Sequence, residues 1–231
     1  MGCLMKANGL YSRMTVGAVL LAAGAGRRLG GRPKALLELG GVPLVRRQLI
    51  ALSGAGVDEV VVVLGHHGDA IEAAVQDFPV TLVRNPAPDD GQASSVRVGL
   101  QALSPKIDAV MVALADQPLI NEQDITALIG AFKRRGDKAM VVPRVTSPDG
   151  SSAPGNPVIF DAALREEWLA GAAELTCRQW REAHPERVQW FDTDNRRYRM
   201  DIDTPEDLAR FAAATGHTLT WPQAFAGNAI A

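Results

Sequence analysis

Four cations fall within eight residues of a glycine-rich turn: Arg27, Arg28, Arg32 and Lys34 follow Gly24-Ala25-Gly26 and surround Gly30-Gly31. Small residues let a backbone approach a ligand closely, and its N–H groups can then cradle phosphate oxygens. Cations in the same loop supply the charge that a polyphosphate demands. A second chemistry-bearing residue is Asp116, directly after the apolar run Ala109–Ala115. A carboxylate at the carboxyl end of a buried strand sits where open α/β sheets bind ligands. Magnesium takes hard oxygens, often one or two carboxylates completed by phosphates. The competing role for Asp116 is a cap for a segment starting near Pro118. Asp203 is the third candidate. Asp201 lies two residues before it, so an extended chain would point both carboxylates the same way. Asp203 or Thr204 would also suit as cap of a following helix.

Familiar alternatives fail on spacing. A dinucleotide fingerprint needs a third glycine where Leu29 stands, and an acidic residue after the second strand, where the chain reads Leu64-Gly65-His66. A Walker loop needs its lysine directly after the closing glycine, and Lys34 lies beyond Arg32 and Pro33. No serine–histidine or cysteine–histidine arrangement suggests a nucleophile. His66 and His67 read as loop residues, and His184 and His217 as peripheral. Trp168, Trp180, Trp190 and Trp221 are too dispersed for a stacking platform and read as packing residues. Cys177 reads as a packed helical residue.

These groups need a frame to hold them. The pattern predicts strands at Val16–Ala23, Glu59–Leu64 with its four consecutive valines, Thr81–Arg84, Ala109–Leu114, Ala139–Pro143, Val158–Phe160 and Val188–Phe191. Between them it predicts helices at Pro43–Gly54, Asp69–Phe78, Ala93–Leu103, Asn121–Arg135, Arg165–His184 and Pro205–Ala214. Such alternation specifies an α/β fold: a doubly wound, mostly parallel sheet in three α/β/α layers. Thr146–Pro157, rich in Ser, Pro and Gly, reads as a mobile loop, and the tail from Thr215 as irregular. Residues 1–14 read as a disordered extension, and 15–231 as a single domain.

The 231 residues are 47% hydrophobic and 22% charged, which excludes a disordered chain, and the net charge of -2 gives no general pull toward nucleic acid or membrane. Two well-separated cysteines and the lack of a signal-like start fit a cytoplasmic protein.

Five blocks in order resemble the molybdenum cofactor cytidylyltransferases and the wider family of cofactor nucleotidyltransferases. They are Leu21–Gly30 with Lys34; Asn85-Pro86 with Gly91–Val96; Leu114-Ala115-Asp116-Gln117-Pro118; Gly155-Asn156-Pro157; and Asp201–Leu208. The resemblance spans Val16 to about Ala214. It implies a Rossmann-like nucleotidyltransferase that moves CMP from CTP onto phosphorylated molybdopterin with magnesium and releases pyrophosphate. It implies that Leu21, Ala22, Ala23 and Gly24 hold base and ribose, that Arg28 and Lys34 grip the triphosphate, and that Asn85, Gly91 and Ser95 line the pocket. Asp116 and Asp203 would bind the metal, with Arg28, Lys34 and Asp116 as the catalytic set. Gly155, Asn156 and Pro157 would face the acceptor, and a molybdoenzyme or its maturation factor is an implied partner. The chain departs from the family at Gly171–Arg178, where a glycine-aspartate-x-glycine segment that helps bind the acceptor is missing.

Related guanylyltransferases typically carry L-A-G-G where this chain has Leu21-Ala22-Ala23-Gly24, which favours a pyrimidine. The rivals are guanylyl transfer to the same acceptor, nucleotidyl transfer to a sugar or alcohol phosphate, NAD(P)-dependent oxidoreduction, and a non-catalytic molybdoenzyme chaperone. The loop chemistry carries a first prediction. Lys34→Ala should weaken every nucleoside triphosphate by a similar factor and CMP much less, measured by calorimetric titration. Equal weakening of CTP and CMP would place Lys34 away from the phosphates.

Overall fold

A computed structural model describes residues 13–171 and 175–227. In chain order its elements begin with β1 (Val16–Ala22), β2 (Glu38–Leu39), β3 (Val42–Pro43), α1 (Leu44–Gly54), β4 (Glu59–Leu64), α2 (Gly68–Val75) and β5 (Thr81–Arg84). There follow α3 (Gln92–Ala102), β6 (Ala109–Leu114), α4 (Glu122–Lys133), β7 (Met140–Thr146), β8 (Ser152–Pro154), β9 (Val158–Asp161) and α5 (Ala162–Ala170). The last are α6 (Cys177–Ala183), β10 (Val188–Thr193), α7 (Pro205–Thr215) and β11 (Leu219–Thr220).

The main sheet runs β10-β7-β9-β6-β1-β4-β5, with β8 paired to β7. Only β9 and β8 run against their neighbours; the other pairings are parallel. Successive residues of β1 point to opposite faces, as a strand requires. Val19 packs in one cluster with Val96 and Leu100 of α3, with Leu103 just beyond it, and with Leu164 and Trp168 of α5. Ala18 packs with Leu52 of α1 and with Ile125, Leu128 and Phe132 of α4. Leu20, on that same face of β1, meets Val45 and Leu49 of α1 and Ile71 of α2. Helices on both faces make the expected three layers. β1 carries no polar side chain because neither face reaches water.

Three expectations are corrected. Thr146–Pro157 is not one open loop. β7 continues to Thr146, and the chain returns as β8 with Arg144 opposite Pro154. The Asp149 carboxylate accepts from the Ser151 N–H at 2.9 Å and closes the turn. Its Ser and Pro content hid the hairpin because an exposed edge strand needs no apolar alternation. Arg165–His184 is not one helix: α5 ends at Ala170, and a fresh capping box of Thr176 and Gln179 starts α6. Residues 172–174 of the segment that departs from the family lie outside the described residues. The tail is not wholly irregular. β11 pairs with β2, which pairs with β3, in a small second sheet. Strands of two residues are too short to leave any period.

The first twelve residues of the expected extension lie outside the described ones. Arg13, inside its expected limits, donates to the Gly56 carbonyl at 2.9 Å and pairs with Asp58 at 3.1 Å. No helix among the described residues is long and apolar enough to cross a membrane.

One ion pair, between the buried Asp124 and the half-exposed Arg197, ties the segment before α7 to the frame. Asp124 is 3% exposed in the first turn of α4. It accepts from Arg197 Nε at 2.8 Å, Arg197 Nη2 at 2.6 Å and Asn195 Nδ2 at 2.7 Å. The Tyr198 hydroxyl donates to the Asp124 carbonyl at 2.7 Å. Removing a buried carboxylate that accepts several hydrogen bonds takes the partner from every donor on it, and water can replace it only at the half-exposed Arg197. Asp124→Ala should therefore destabilise the protein by about 2–4 kcal/mol in urea unfolding. Adding Arg197→Ala to that variant should cost little more. Additive losses would show that the two side chains do not act as a pair.

Candidate active site

The glycine-rich turn leaves β1 and folds back on itself. Gly26 has φ of 64°, and a Cβ there would sit 1.9 Å from the Arg32 carbonyl oxygen, so only glycine fits. The Gly31 and Leu29 N–H groups donate to the Gly26 carbonyl at 3.0 and 2.8 Å. Leu29, 1% exposed, anchors the turn in a cluster with Leu37, Leu44, Ile202 and Phe211. The residue that spoils the dinucleotide fingerprint is thus a packing anchor.

The turn's four cations are not equivalent. Arg32 turns back: its Nε donates to the Leu29 carbonyl at 2.9 Å, and its guanidinium lies 4.3 Å from the centre of the Trp221 ring. Arg27 pairs with Asp89 at 2.5 Å, and His66 Nε2 lies 3.1 Å from the same carboxylate. Arg28 and Lys34 both reach Asp203, at 2.9 and 2.5 Å, and Lys34 also pairs with Asp116. The two sequence-predicted cations and the two predicted carboxylates therefore form one cluster.

Backbone bonds explain why Asp203 arrives beside Asp116. The Ile202 N–H donates to the Asp116 carbonyl at 3.1 Å. Gln117 Nε2 donates to the carbonyls of Tyr198 at 3.1 Å and Asn156 at 3.2 Å. Thr204, not Asp203, caps α7, in a capping box with Asp207. Asp203 is left to the cations. Asp201 meets neither cation and faces the neighbouring cleft.

The electrostatics follow from this geometry. Burial works against the Asp203 carboxylate, but hydrogen bonding to Lys34 and the charges of Lys34 and Arg28 outweigh it and hold its pKa low. Burial likewise opposes the Lys34 ammonium, and Asp116 and Asp203 overcome it and raise its pKa. Partial desolvation, then the Asp116 charge, pushes the Asp201 carboxyl above its usual range. Burial of the Cys177 thiol pushes it up to about 12, which removes it as a nucleophile near neutral pH.

Three clefts surround the cluster. One of about 290 Å³ is lined by Leu21, Ala23, Gly24, Gly91, Ser95 and Asp116, together with Gln92 and Lys34. A second, of about 280 Å³, lies along the basic turn between Arg27, Arg28, Lys34, His66, Asp89 and Asp203. A third, of about 840 Å³, shares Arg28 and Asp203 with the second. Ala22 is buried behind the first cleft and lines only a small void with Asp116. Asn85 is also buried. It donates to Ser94 and Ser95 at 2.8 and 2.9 Å and accepts from the Ala87 N–H at 2.9 Å, so it braces the turn ahead of α3.

Gly155, Asn156 and Pro157 line none of these clefts. Gly155 is pressed on Tyr198, where a Cβ would come within 2.6 Å of the carbonyl oxygen. Sequence reasoning missed Gln92, His66 and Asp89 as wall residues. Gln92 stood inside a quoted block; Asp89 and His66 carried no signal, because only the folded chain brings them to Arg27.

Residues 18–188 match the model of the MobA-like NTP transferase domain. The chain belongs to this family. The MobA-like chain is 32% identical over 196 residues to nicotine blue oxidoreductase of Paenarthrobacter nicotinovorans, covering 84% of this chain and 95% of that one. It is 35% identical over 142 residues to the bifunctional protein GlmU of Sorangium cellulosum, which is 58% of this chain but only 30% of that protein. Its fold matches that of 4-diphosphocytidyl-2C-methyl-D-erythritol synthase from Anaerococcus prevotii at a TM-score of 0.70 and 20% identity, over 88% of this chain and 96% of that one.

Members of this nucleotidyltransferase family commonly use divalent metals. Asp116 and Asp203 fit such an ion. Asp116 Oδ1 is buried with no hydrogen-bond partner, and both residues offer hard oxygens. Among the described residues no group of three or more His, Cys, Asp or Glu could hold a metal ion, so an ion held by these two carboxylates would need phosphate and water oxygens as further ligands. Asp116→Asn keeps the volume and removes the charge. The variant should melt within a few degrees of wild type and lose at least about 100-fold in metal-dependent turnover. Turnover within a few-fold of wild type in the folded variant would end the assignment.

Proposed function

We propose that the chain transfers CMP from CTP to the phosphate of phosphorylated molybdopterin and releases pyrophosphate. The observation that carries the reading is the cluster of Arg28, Lys34, Asp116 and Asp203 where a nucleotide-sized cleft meets a basic one. Leu21, Ala23 and Gly24 lie against the base and ribose, with Gly91 and Ser95 opposite, while Ala22 and Asn85 support those walls. Arg28 and Lys34 neutralise the triphosphate. Asp116 and Asp203 would hold Mg²⁺, which supplies further charge neutralisation on the phosphates when bound.

An acceptor phosphate oxygen attacks the α-phosphorus. The α–β phosphate bond breaks, and pyrophosphate leaves with the electron pair. The attacking phosphate is already largely dianionic near neutral pH, since its second pKa is about 6, so no general base is required. Catalysis then rests on positioning and charge stabilisation, which matches a site holding cations and carboxylates but no nucleophile.

Ala23 supports CTP over GTP. It is 7% exposed, lines the nucleotide cleft and abuts Gly65, where a Cβ would sit 2.8 Å from the Ala23 Cβ. The methyl group cannot retreat in that direction, so a purine meets it where a pyrimidine fits. One methyl-sized difference is worth roughly 1–3 kcal/mol, about 10- to 200-fold.

The similarity to nicotine blue oxidoreductase favours a second reading, NAD(P)-dependent oxidoreduction. Against it stand the buried Leu29 in place of the third glycine and the Gly65-His66-His67 end of β4. Pyrophosphate release from four nucleoside triphosphates, against a panel of phosphorylated acceptors that includes molybdopterin, separates the two. CTP should exceed GTP by at least about tenfold in kcat/KM, and Ala23→Gly should narrow the gap mainly by improving GTP. A wild-type preference for GTP would overturn the cytidylyl assignment. Saturable NADPH oxidation without any pyrophosphate release would favour the second reading.

A further inference from the structure

The cleft of about 840 Å³ is walled by the β7–β8 turn, the segment before α7 and one side of α7 from Asp207 to Ala214. It opens onto the reaction cluster through Arg28 and Asp203, which it shares with the phosphate cleft. Its volume is in the upper range for small-molecule sites and suits a ring-sized body. Most charges on its wall are already answered. Asp203 is held by Lys34 and Arg28, Asp207 by Arg210 and the cap of α7, and Asp149 by Ser151. Among the described residues Asp201 has no ion-pair partner, and Arg196 and Arg199 make neither an ion pair nor a side-chain hydrogen bond.

Local geometry presents these two side chains together. They begin and end a single 3-10 turn, Arg196–Arg199. Side chains three residues apart eclipse on such a turn, so the two guanidinium groups lie on one side of it. The residues between them are locked inward, Arg197 on the Asp124 carboxylate and Tyr198 on its carbonyl. The pair is thus mounted on a turn fixed from behind. The Asp149 charge reaches Arg196 without a hydrogen bond between them, so both guanidinium groups keep their donors for an oxyanion, whose several oxygens can take paired hydrogen bonds from them.

We propose that Arg196 and Arg199 form the acceptor's anion clamp, and that the acceptor is a bulky, ring-bearing phosphate monoester seated in this cleft. The inference rests on the nucleotidyltransferase reading and moves acceptor recognition from Gly155-Asn156-Pro157 to the 196–199 turn. Those three residues support the turn instead, through the Asn156 N–H that donates to the Tyr198 carbonyl at 2.7 Å.

Two probes test it: FMN, a fused-ring phosphate monoester, and riboflavin, the same ring system without phosphate. Both are titrated by fluorescence into the full chain without metal and with excess CTP, so that the nucleotide cleft is filled. CTP affinity is measured separately by calorimetry. Wild type should bind FMN at least about tenfold more tightly than riboflavin. The double variant R196Q/R199Q should bind the two alike and keep its CTP affinity within about twofold of wild type. Both side chains are exposed, and an unchanged melting curve confirms the variant's fold. Equal FMN binding by variant and wild type, or no preference for FMN over riboflavin, overturns the clamp. A parallel loss of CTP affinity also overturns it, by assigning the pair to the nucleotide. Failure of wild type to bind CTP sinks the nucleotidyl reading instead, and the FMN comparison still decides the clamp.

Discussion

One ammonium group joins three segments that are far apart in the chain. Lys34, on the strand-to-helix connection after β1, lies between Asp116 at the end of β6 and Asp203 ahead of α7. A half-buried cation must find counter-charge, and a buried carboxylate must find a donor. Here each need answers the other, and Arg28 balances the second negative charge. The Asp203 pKa is held low, so its contribution to stability is present above the ordinary carboxylate range and is lost as pH falls through the lowered value. The Lys34 pKa is raised, so its contribution is present below the ordinary lysine value and is lost as pH rises through the elevated one. The cluster therefore persists across the whole neutral range, in the charge state that triphosphate chemistry requires.

The cluster's own ion pairs are not what places these segments beside one another. Main-chain and amide bonds do the placing. Ile202 bonds to the Asp116 carbonyl, and Gln117 bonds to the carbonyls of Tyr198 and Asn156. Asp124 clamps Arg197 and Asn195 from the other side. The segment before α7 is held at its backbone and on one face. Asp203 is free to meet cations, and Arg196 and Arg199 are free to face the large cleft.

Glycines set how closely these pieces approach. Gly26 allows the basic turn to close, and Gly155 allows the β8–β9 junction to press on Tyr198. At both positions a single methyl group would collide with backbone. These are the distances on which the positions of Arg28 and of the 196–199 turn depend.

Much of this was legible in the residues. Buried parallel strands need continuous apolar runs, and β1, β4 and β6 show them because both faces are covered by helices. Asp116 announced itself as a carboxylate ending such a run, and Arg28 and Lys34 as cations in a turn too small to hide them. Short and exposed elements stayed silent: β2, β3, β8 and β11 are two or three residues long and bury too little to impose a pattern. Sequence also could not rank the four loop cations. Arg32 is spent on Trp221 and Arg27 on Asp89, and both partners come from distant parts of the chain. The same holds for Arg196 and Arg199, whose place on the cleft wall depends on the fold. Local patterning determines which residues are buried and where strands end, because burial acts residue by residue. Which charges find partners is a property of through-space neighbours, and only the tertiary structure decides that.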